Sequence, residues 1–370
     1  MTHPSKSAAT AALVAAEAGV HRARGRLADR VQGVQHRLGR AGAAPNATEQ
    51  NIENVCAAAA KIGVDAQLLP NSFVKLTHDG SVSYANSSNF AFELLVPYFV
   101  CGDKWLTSTL LSEHGLPVPR FGAFGISQYE DARHFFEKLP KPVVTKPARG
   151  TSGGVGITLD ITTAREFRAG FARARAHAGD VLVEQQVAGE NVRVTILDGR
   201  ILGAVRRLPA HVVGDGVATI AACVEAKNAL CRTRAPGNRL FQPIEVDHDV
   251  RRTLGRQGLT PRSVPESGRT VRLSQVSNAD RGGEIVDLAW GELHDEQRQL
   301  AIAAARAVGA VLCGVDLITT DSSAPATPGA VVINEVNTTP GIDAANAMHD
   351  GSPSTYAAEC ILRHLFGLQE

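Results

Sequence analysis

VVINEVNTTPGI, residues 331–342, begins as an apolar run and ends on two oxygen-bearing side chains two apart, Glu335 and Asn337, before Pro340-Gly341 breaks the chain. Side chains two apart on a strand share a face. A second apolar run, GVDLITTD (314–321), lies upstream, and the SSAPATPG segment between the two is rich in the residues that close a hairpin. Antiparallel pairing centred on that loop sets Asp316 opposite Glu335. Asp316, Glu335 and Asn337 then converge on one side of one ladder. Two carboxylates that close repel each other unless a cation neutralises them. Hard oxygen donors suit Mg2+, which keeps several waters and takes phosphate oxygens. The competing reading is a polar strand end in solvent, with Asn337 as a turn residue.

A magnesium ion of that kind implies a phosphate site elsewhere. VVTKPARGTSGGVGITL (143–159) offers one. Lys146 ends an apolar strand, and Gly150, Ser152, Gly153 and Gly154 follow in a loop whose backbone N–H groups can approach phosphate oxygens. It is neither a Walker loop, since no Gly-Lys-Ser/Thr follows, nor a dinucleotide fingerprint, since no G-x-G-x-x-G occurs. A plain β-hairpin turn is the alternative. Lys104, at a helix start in CGDKWLTSTLL, is a second candidate phosphate partner or a solvated surface lysine. In VLVEQQVAGENVRV (181–194) an apolar strand runs into Glu184, Gln185 and Val187. This reads as a hinge whose backbone meets an adenine edge, with Glu190 placed for a ribose hydroxyl, or as an edge strand with a polar end.

The bulk numbers narrow the class. At 370 residues the chain has room for two or three domains, and 44% hydrophobic with 20% charged residues is ordinary for a globular protein. A formal charge of +1 gives no field that favours nucleic acid or an anionic membrane. No apolar run approaches the roughly 20 residues of a membrane helix, and no secretory h-region is evident. The six cysteines are scattered without a CxxC pair, so neither zinc nor a redox motif is indicated. A reduced, cytoplasmic protein is expected. Residues 1–48 are Ala/Arg-rich with Leu27, Val31, Val34 and Leu38 at helical spacing, which reads as a docking or oligomer-contact helix or as an organellar targeting peptide. Residues 49–102 read as a small α/β unit, 103–180 as a first lobe with the Gly-rich loop, and 181–370 as a second lobe. The second lobe contains a hairpin turning at Asp198-Gly199 and a helix ended by Gly309.

The order Lys104, Lys146, Gly-rich loop, Glu184 to Val187, Arg206-Arg207, Asp316, Glu335-x-Asn337 resembles the ATP-grasp superfamily over about residues 103–365. AVRRLPAHVVGDGVATI (204–220), then Asn228 and Arg232, then VSNADRGGEIVD (276–287) are similar to the ATP-grasp module of cyanophycin synthetases and of bifunctional glutathione-making ligases. The resemblance implies an α+β fold in which two α+β lobes clamp ATP, with a small unit in front. It implies that Lys104 and Lys146 touch phosphates, and that Asp316, Glu335 and Asn337 hold Mg2+, with Mn2+ as a substitute. The reaction implied is amide formation between a carboxylate and an amine of amino acids or peptides, through an acylphosphate. Arg206 or Arg207 would face the substrate carboxylate or the transferred phosphate, with Arg207 favoured. Asn278, Gly282 and Gly283 form either an oxyanion loop or an ordinary turn, and Arg193 and Asn228 are weaker candidates. A nucleotide-binding sensor or partner module without catalysis and a small-molecule kinase are the alternatives. A homodimer is expected from the resemblance.

Overall fold

Two-residue turns decide the first sheet. The computed structural model describes residues 47–151, 153–233, 242–342 and 355–369, so the Ala/Arg-rich stretch before 47, and Ser152, lie outside the described residues. Helix α1 (Ala47–Lys61) leads into strands β1 (Asp65–Leu68), β2 (Phe73–His78), β3 (Ser81–Asn86) and β4 (Asn89–Phe90). Asp79 and Gly80 both take positive φ between β2 and β3, the geometry whose twist matches antiparallel strands. Turns this short can join only antiparallel neighbours. The unit is therefore a helix on an antiparallel meander, β1-β2-β3-β4, rather than the α/β arrangement expected from the sequence.

Next come two short helices, α2 (Leu95–Cys101) and α3 (Lys104–Glu113), then β5 (Phe121–Gly125), α4 (Tyr129–Lys138), β6 (Val143–Pro147), β7 (Thr158–Ile161), α5 (Ala164–Arg175) and β8 (Asp180–Gln185). The four strands form an antiparallel sheet in the order β5-β8-β6-β7. Asp103 caps α3 by accepting from the Leu106 N–H at 3.1 Å, and Thr163 with Glu166 forms a reciprocal capping box on α5. Phe136, Phe167 and Phe171 fill the core under this sheet.

The third sheet carries the site. It is built from β9 (Glu190–Leu197), β10 (Arg200–Leu208), β13 (Glu284–Asp287), β14 (Leu312–Thr319) and β15 (Val331–Thr338), in the order β13-β10-β9-β14-β15. Between β10 and β13 sits a small subdomain of β11 (His211–Val213), α6 (Ile220–Thr233), α7 (His248–Arg256) and β12 (Thr270–Arg272), with its own apolar core. Helix α8 (Asp295–Val308) packs on one face of the five-stranded sheet, burying Ala301, Ala304, Ala305 and Val308 against Val192, Val194, Val315 and Ile333. Helix α9 (Tyr356–Phe366) joins α1 and the first sheet in a separate cluster. No described helix is long and apolar enough to cross a membrane.

A local feature of β15 determines where the acidic residues go. Asp316 pairs with Glu335, but Leu317 pairs with Ile333, so Asn334 is an extra residue, a β-bulge. Without it, strict alternation would keep Glu335 and Asn337 on the same face as Val331 and Ile333, which lie in the core. The bulge resets the alternation: Val336 goes to the core, and Glu335 and Asn337 face the opposite side.

One carboxylate outside that face bears on stability. Glu93, just before α2, has a buried carboxylate oxygen with no hydrogen-bond partner. Burial pushes its carboxyl up to about 7, and a hydrogen bond from the Phe90 backbone offsets this only in part. The folded state therefore holds the proton more tightly than the unfolded chain. The protein loses stability as pH rises from about 4.5 to about 7. Glu93→Gln is expected to raise the free energy of unfolding at pH 8 by about 1–2 kcal/mol, after discounting for partial exposure, with no gain at pH 4. Denaturant melts of both proteins at the two pH values decide it, and an equal change at both refutes the assignment.

Candidate active site

Residues of the three larger sheets, with α2 and α3, meet around one cavity of about 1200 Å3. That exceeds the range of about 300–1000 Å3 usual for one small ligand, so there is room for more than a nucleotide. Its floor is the sheet face opposite α8. Asp316, Glu335 and Asn337 all line it, together with Arg193 and Arg207.

Their contacts are specific. Arg193 lies directly opposite Asp316 across the β9–β14 ladder. Its Nε donates to Asp316 Oδ1 and its Nη2 to Oδ2, both at 2.6 Å, a two-pronged charged pair. Arg207 Nη1 and Asn337 Nδ2 each donate to Asp316 Oδ2 at 3.3 Å. Burial by itself would push the Asp316 carboxyl up, but the charge of Arg193 and then of Arg207 outweighs it and holds Asp316 below the usual carboxylate range. Glu335 Oε1 pairs with Lys104 Nζ at 3.1 Å, and Lys104 Nζ also donates to the Thr151 carbonyl at 3.2 Å.

This donor set fits a magnesium ion. A carboxylate accepts at about four lone-pair positions, and an Asn side-chain oxygen at two. Glu335 keeps its second oxygen, Asn337 its amide oxygen, and Asp316 Oδ1 carries a single hydrogen bond. Among the described residues no group of three or more His, Cys, Asp or Glu side chains could hold a metal. A site made of two carboxylates, an amide and phosphate oxygens suits a hard cation and not zinc. Cys101 also lines the cavity, but burial and then the Glu335 charge push its thiol up to about 12, so it stays protonated and is no nucleophile.

On the first-lobe side, Lys146 is buried and pairs with the buried Glu184 at 2.8 Å, yet it still borders the cavity. Gly153 and Gly154 take positive φ and border it too. The loop is tied across the cavity: Asn278 Nδ2 donates to the Gly153 carbonyl at 2.9 Å. A Cβ on Gly154 would stand 3.1 Å from Val276, so these glycines also permit the loop's close approach to the 276–278 segment.

The remaining sequence candidates do not all converge. Arg206 points to the other side of β10, with Nε to Glu190 at 2.7 Å and Nη2 to Ser322 at 3.3 Å, so of the adjacent pair only Arg207 borders the cavity. Strand alternation is the reason. Gly283 is absent from the lining, and its N–H is committed to the Asn278 carbonyl at 2.9 Å, so it is no oxyanion donor. Gly150 has positive φ but lies outside the lining. Gln185, Val187 and Glu190 are outside it as well; the Gln185 N–H is taken by the Arg120 carbonyl at 2.8 Å. Asn228 clamps Ile244, accepting its N–H at 2.7 Å and donating to its carbonyl at 2.9 Å, which is a structural role in the inserted subdomain.

Known proteins are similar to this chain. Residues 110–217 match the family described as D-ala D-ala ligase C-terminus, and residues 272–351 match the RimK-like ATP-grasp domain. This chain belongs to the ATP-grasp superfamily. Cyanophycin synthetase of Trichormus variabilis (strain ATCC 29413 / PCC 7937) is 34% identical over 256 residues, 69% of this chain and 28% of that protein. The glutathione biosynthesis bifunctional protein GshAB of Streptococcus agalactiae serotype V (strain ATCC BAA-611 / 2603 V/R) is 30% identical over 262 residues, 69% of this chain and 34% of that protein. The crystal structure of a bifunctional glutathione synthetase from Pasteurella multocida superposes with a TM-score of 0.59 at 27% identity, covering 86% of this chain and 43% of that one. The chain thus spans about a third of the length of the curated relatives it matches.

Within this ATP-grasp cavity several lining residues went unnoticed in the sequence. Arg149 stands between Asp103 and Asp180, and its signal was only a charge next to the Gly-rich loop. Asn86, Ser87, Ser88 and Asn89, in the β3–β4 turn, supply an uncharged polar wall from the first sheet. Tyr98 and Phe99 of α2 form part of the rim. A short apolar helix without a polar face shows no period, and nothing local marked it as part of a site.

Proposed function

We propose that this ATP-grasp chain is an ATP-dependent ligase that joins a carboxylate to an amine, on amino acids or short peptides, releasing ADP and phosphate. One observation supports it above the rest. Two free carboxylate and amide oxygens on β15, two lysines and an arginine face a single cavity large enough for a nucleotide and a second molecule.

Carboxylates are poor electrophiles. A substrate carboxylate oxygen attacks the γ-phosphorus, the bond to ADP breaks, and an acylphosphate forms. The amine nitrogen then attacks the acyl carbon, the bond to phosphate breaks, and the nitrogen loses a proton to give the amide. Glu335, Asn337 and Asp316 would hold the Mg2+ (or Mn2+), whose charge offsets that of the β- and γ-phosphates. Lys104 and Lys146 neutralise the remaining phosphate oxygens. Arg207 orients the substrate carboxylate or the transferred phosphoryl group. The Gly153–Gly154 segment covers the phosphates with its N–H groups, and its tie to Asn278 excludes water that would hydrolyse the acylphosphate.

Phosphate release from ATP with magnesium and an amino-acid pool, with and without an amine, tests the reading. Amine-dependent release with an amide product by mass spectrometry is the expected result. Amine-independent formation of a stable phosphorylated compound would make the protein a kinase, and ATP binding without release would make it a nucleotide-binding module.

A further inference from the structure

Helix α2 is two-faced in an unusual way. Pro97 and Cys101 are buried, and Val100 packs against the core. The opposite face is just as apolar and is open: Leu95, Val96 and Phe99 are 68%, 71% and 63% exposed. That departs from ordinary surface helices, whose outer face is polar. Exposed apolar residues scattered singly need no explanation, but a contiguous set marks a contact.

Its position identifies what the face contacts. The helix packs on β15, which carries Glu335 and Asn337. Tyr98 and Phe99 of this helix, and Leu106 one turn into α3, line the same cavity as the acidic residues. The Tyr98 and Phe99 rings meet edge to face with centroids 5.8 Å apart and planes at 73°, so each restrains the other. The apolar surface therefore starts inside the catalytic cavity and runs out over its rim. A seven-residue helix is about 10 Å long, and its open face falls far short of the roughly 800 Å2 per partner of a stable protein contact. It is, however, the right size for one or two side chains.

We infer that α2 is a substrate shelf: one of the two molecules joined here carries a bulky apolar side chain, and Tyr98, Phe99 and Leu106 receive it at the cavity mouth, with Leu95 and Val96 extending the surface outward. The inference rests on the ligase reading and narrows its substrate class, from any amino acid or peptide to hydrophobic ones.

The test uses the full chain and the dipeptides glycylglycine, alanylalanine and leucylleucine as amines, with a mixed amino-acid pool supplying the carboxylate. kcat/KM for amine-dependent phosphate release is expected to rise at least about tenfold from glycylglycine to leucylleucine. Phe99→Ala should lower the value for leucylleucine several-fold more than for glycylglycine, flattening the series. Isothermal titration of each dipeptide without ATP gives a readout independent of chemistry. Tighter binding of leucylleucine, weakened by Phe99→Ala, with no phosphate released would show α2 to be an apolar binding surface and would overturn the ligase reading, and with it the role of α2 as a substrate shelf. A series flat in both assays overturns the shelf. So does a dimer in light scattering that Val96→Asp converts to monomer, since the face would then belong to a second copy of the chain.

Discussion

Glu335→Gln is expected to lower amine-dependent phosphate release by about 10²–10³-fold, the loss that follows when one charged contact to a cation that would offset the phosphate charge is removed. The amide keeps the size of the carboxylate and an oxygen that still accepts from Lys104. What it loses is the negative charge, and it presents an N–H2 donor where a cation requires an acceptor. The fold is expected to tolerate this. The Lys104–Glu335 pair borders the cavity, and after the change the new amide oxygen still accepts from Lys104, which keeps its bond to the Thr151 carbonyl, so no charge is left without a polar partner. Phosphate release and a thermal melt on the same preparation separate chemistry from stability. Wild-type turnover in this variant would refute the metal assignment, and with it the mechanism above.

Asp316→Asn has the larger effect on the fold. Its carboxylate is the counter-charge for Arg193, which is nearly buried and forked onto it at 2.6 Å on both prongs, and it also accepts from Arg207 at 3.3 Å. Neutralising it leaves an uncompensated guanidinium in the sheet, a change that typically costs about 3–5 kcal/mol. Urea unfolding should show this at pH 7. The pH dependence has a definite sign. The Asp316 carboxyl is held below its ordinary value of 3.8 by Arg193 and Arg207 against the opposing effect of burial. Its contribution is present above that value and is lost as pH falls through the folded value. The variant's stability should accordingly be flatter on the acid side. The double change Arg193→Met with Asp316→Leu should cost less than the two single changes together, because the forked Arg193 charge is then removed along with its partner. An Asp316→Asn protein with the wild-type midpoint would show that Arg193 finds its compensation elsewhere. The two carboxylates of one ladder therefore differ: a defect at Glu335 reports on chemistry, whereas one at Asp316 mixes chemistry with the integrity of the sheet.

Much of this site could be read locally. The Pro/Gly loop between 321 and 330 makes β14 and β15 a hairpin, which brings Asp316 to the level of Glu335, although the register next to the turn, Leu317 with Ile333, puts the two directly opposite each other only through the bulge at Asn334. Asp198-Gly199 likewise marked the β9–β10 turn. The Gly-rich loop showed itself by composition. The contacts that escaped detection depend on pairing between distant segments. That β9 lies between β10 and β14, placing Arg193 on Asp316, is a contact across 123 residues with no sequence signal. That Glu184 meets Lys146 depends on β8 running beside β6, which turns a residue read as part of a nucleotide hinge into an ion-pair partner.

From the sequence by itself came the element types, the hairpins and the identity of the oxygen donors, because turn chemistry and alternation act over a few residues. Only the tertiary structure decided which face those donors occupy. A one-residue bulge at Asn334 turns Glu335 and Asn337 away from the α8 core and into the cavity. It also decided which of Arg206 and Arg207 joins them, and that α2 presents an apolar rim beside them. A period of two states that neighbours point oppositely; it does not state which direction is inward, and that is set when the sheet buries one face against a helix.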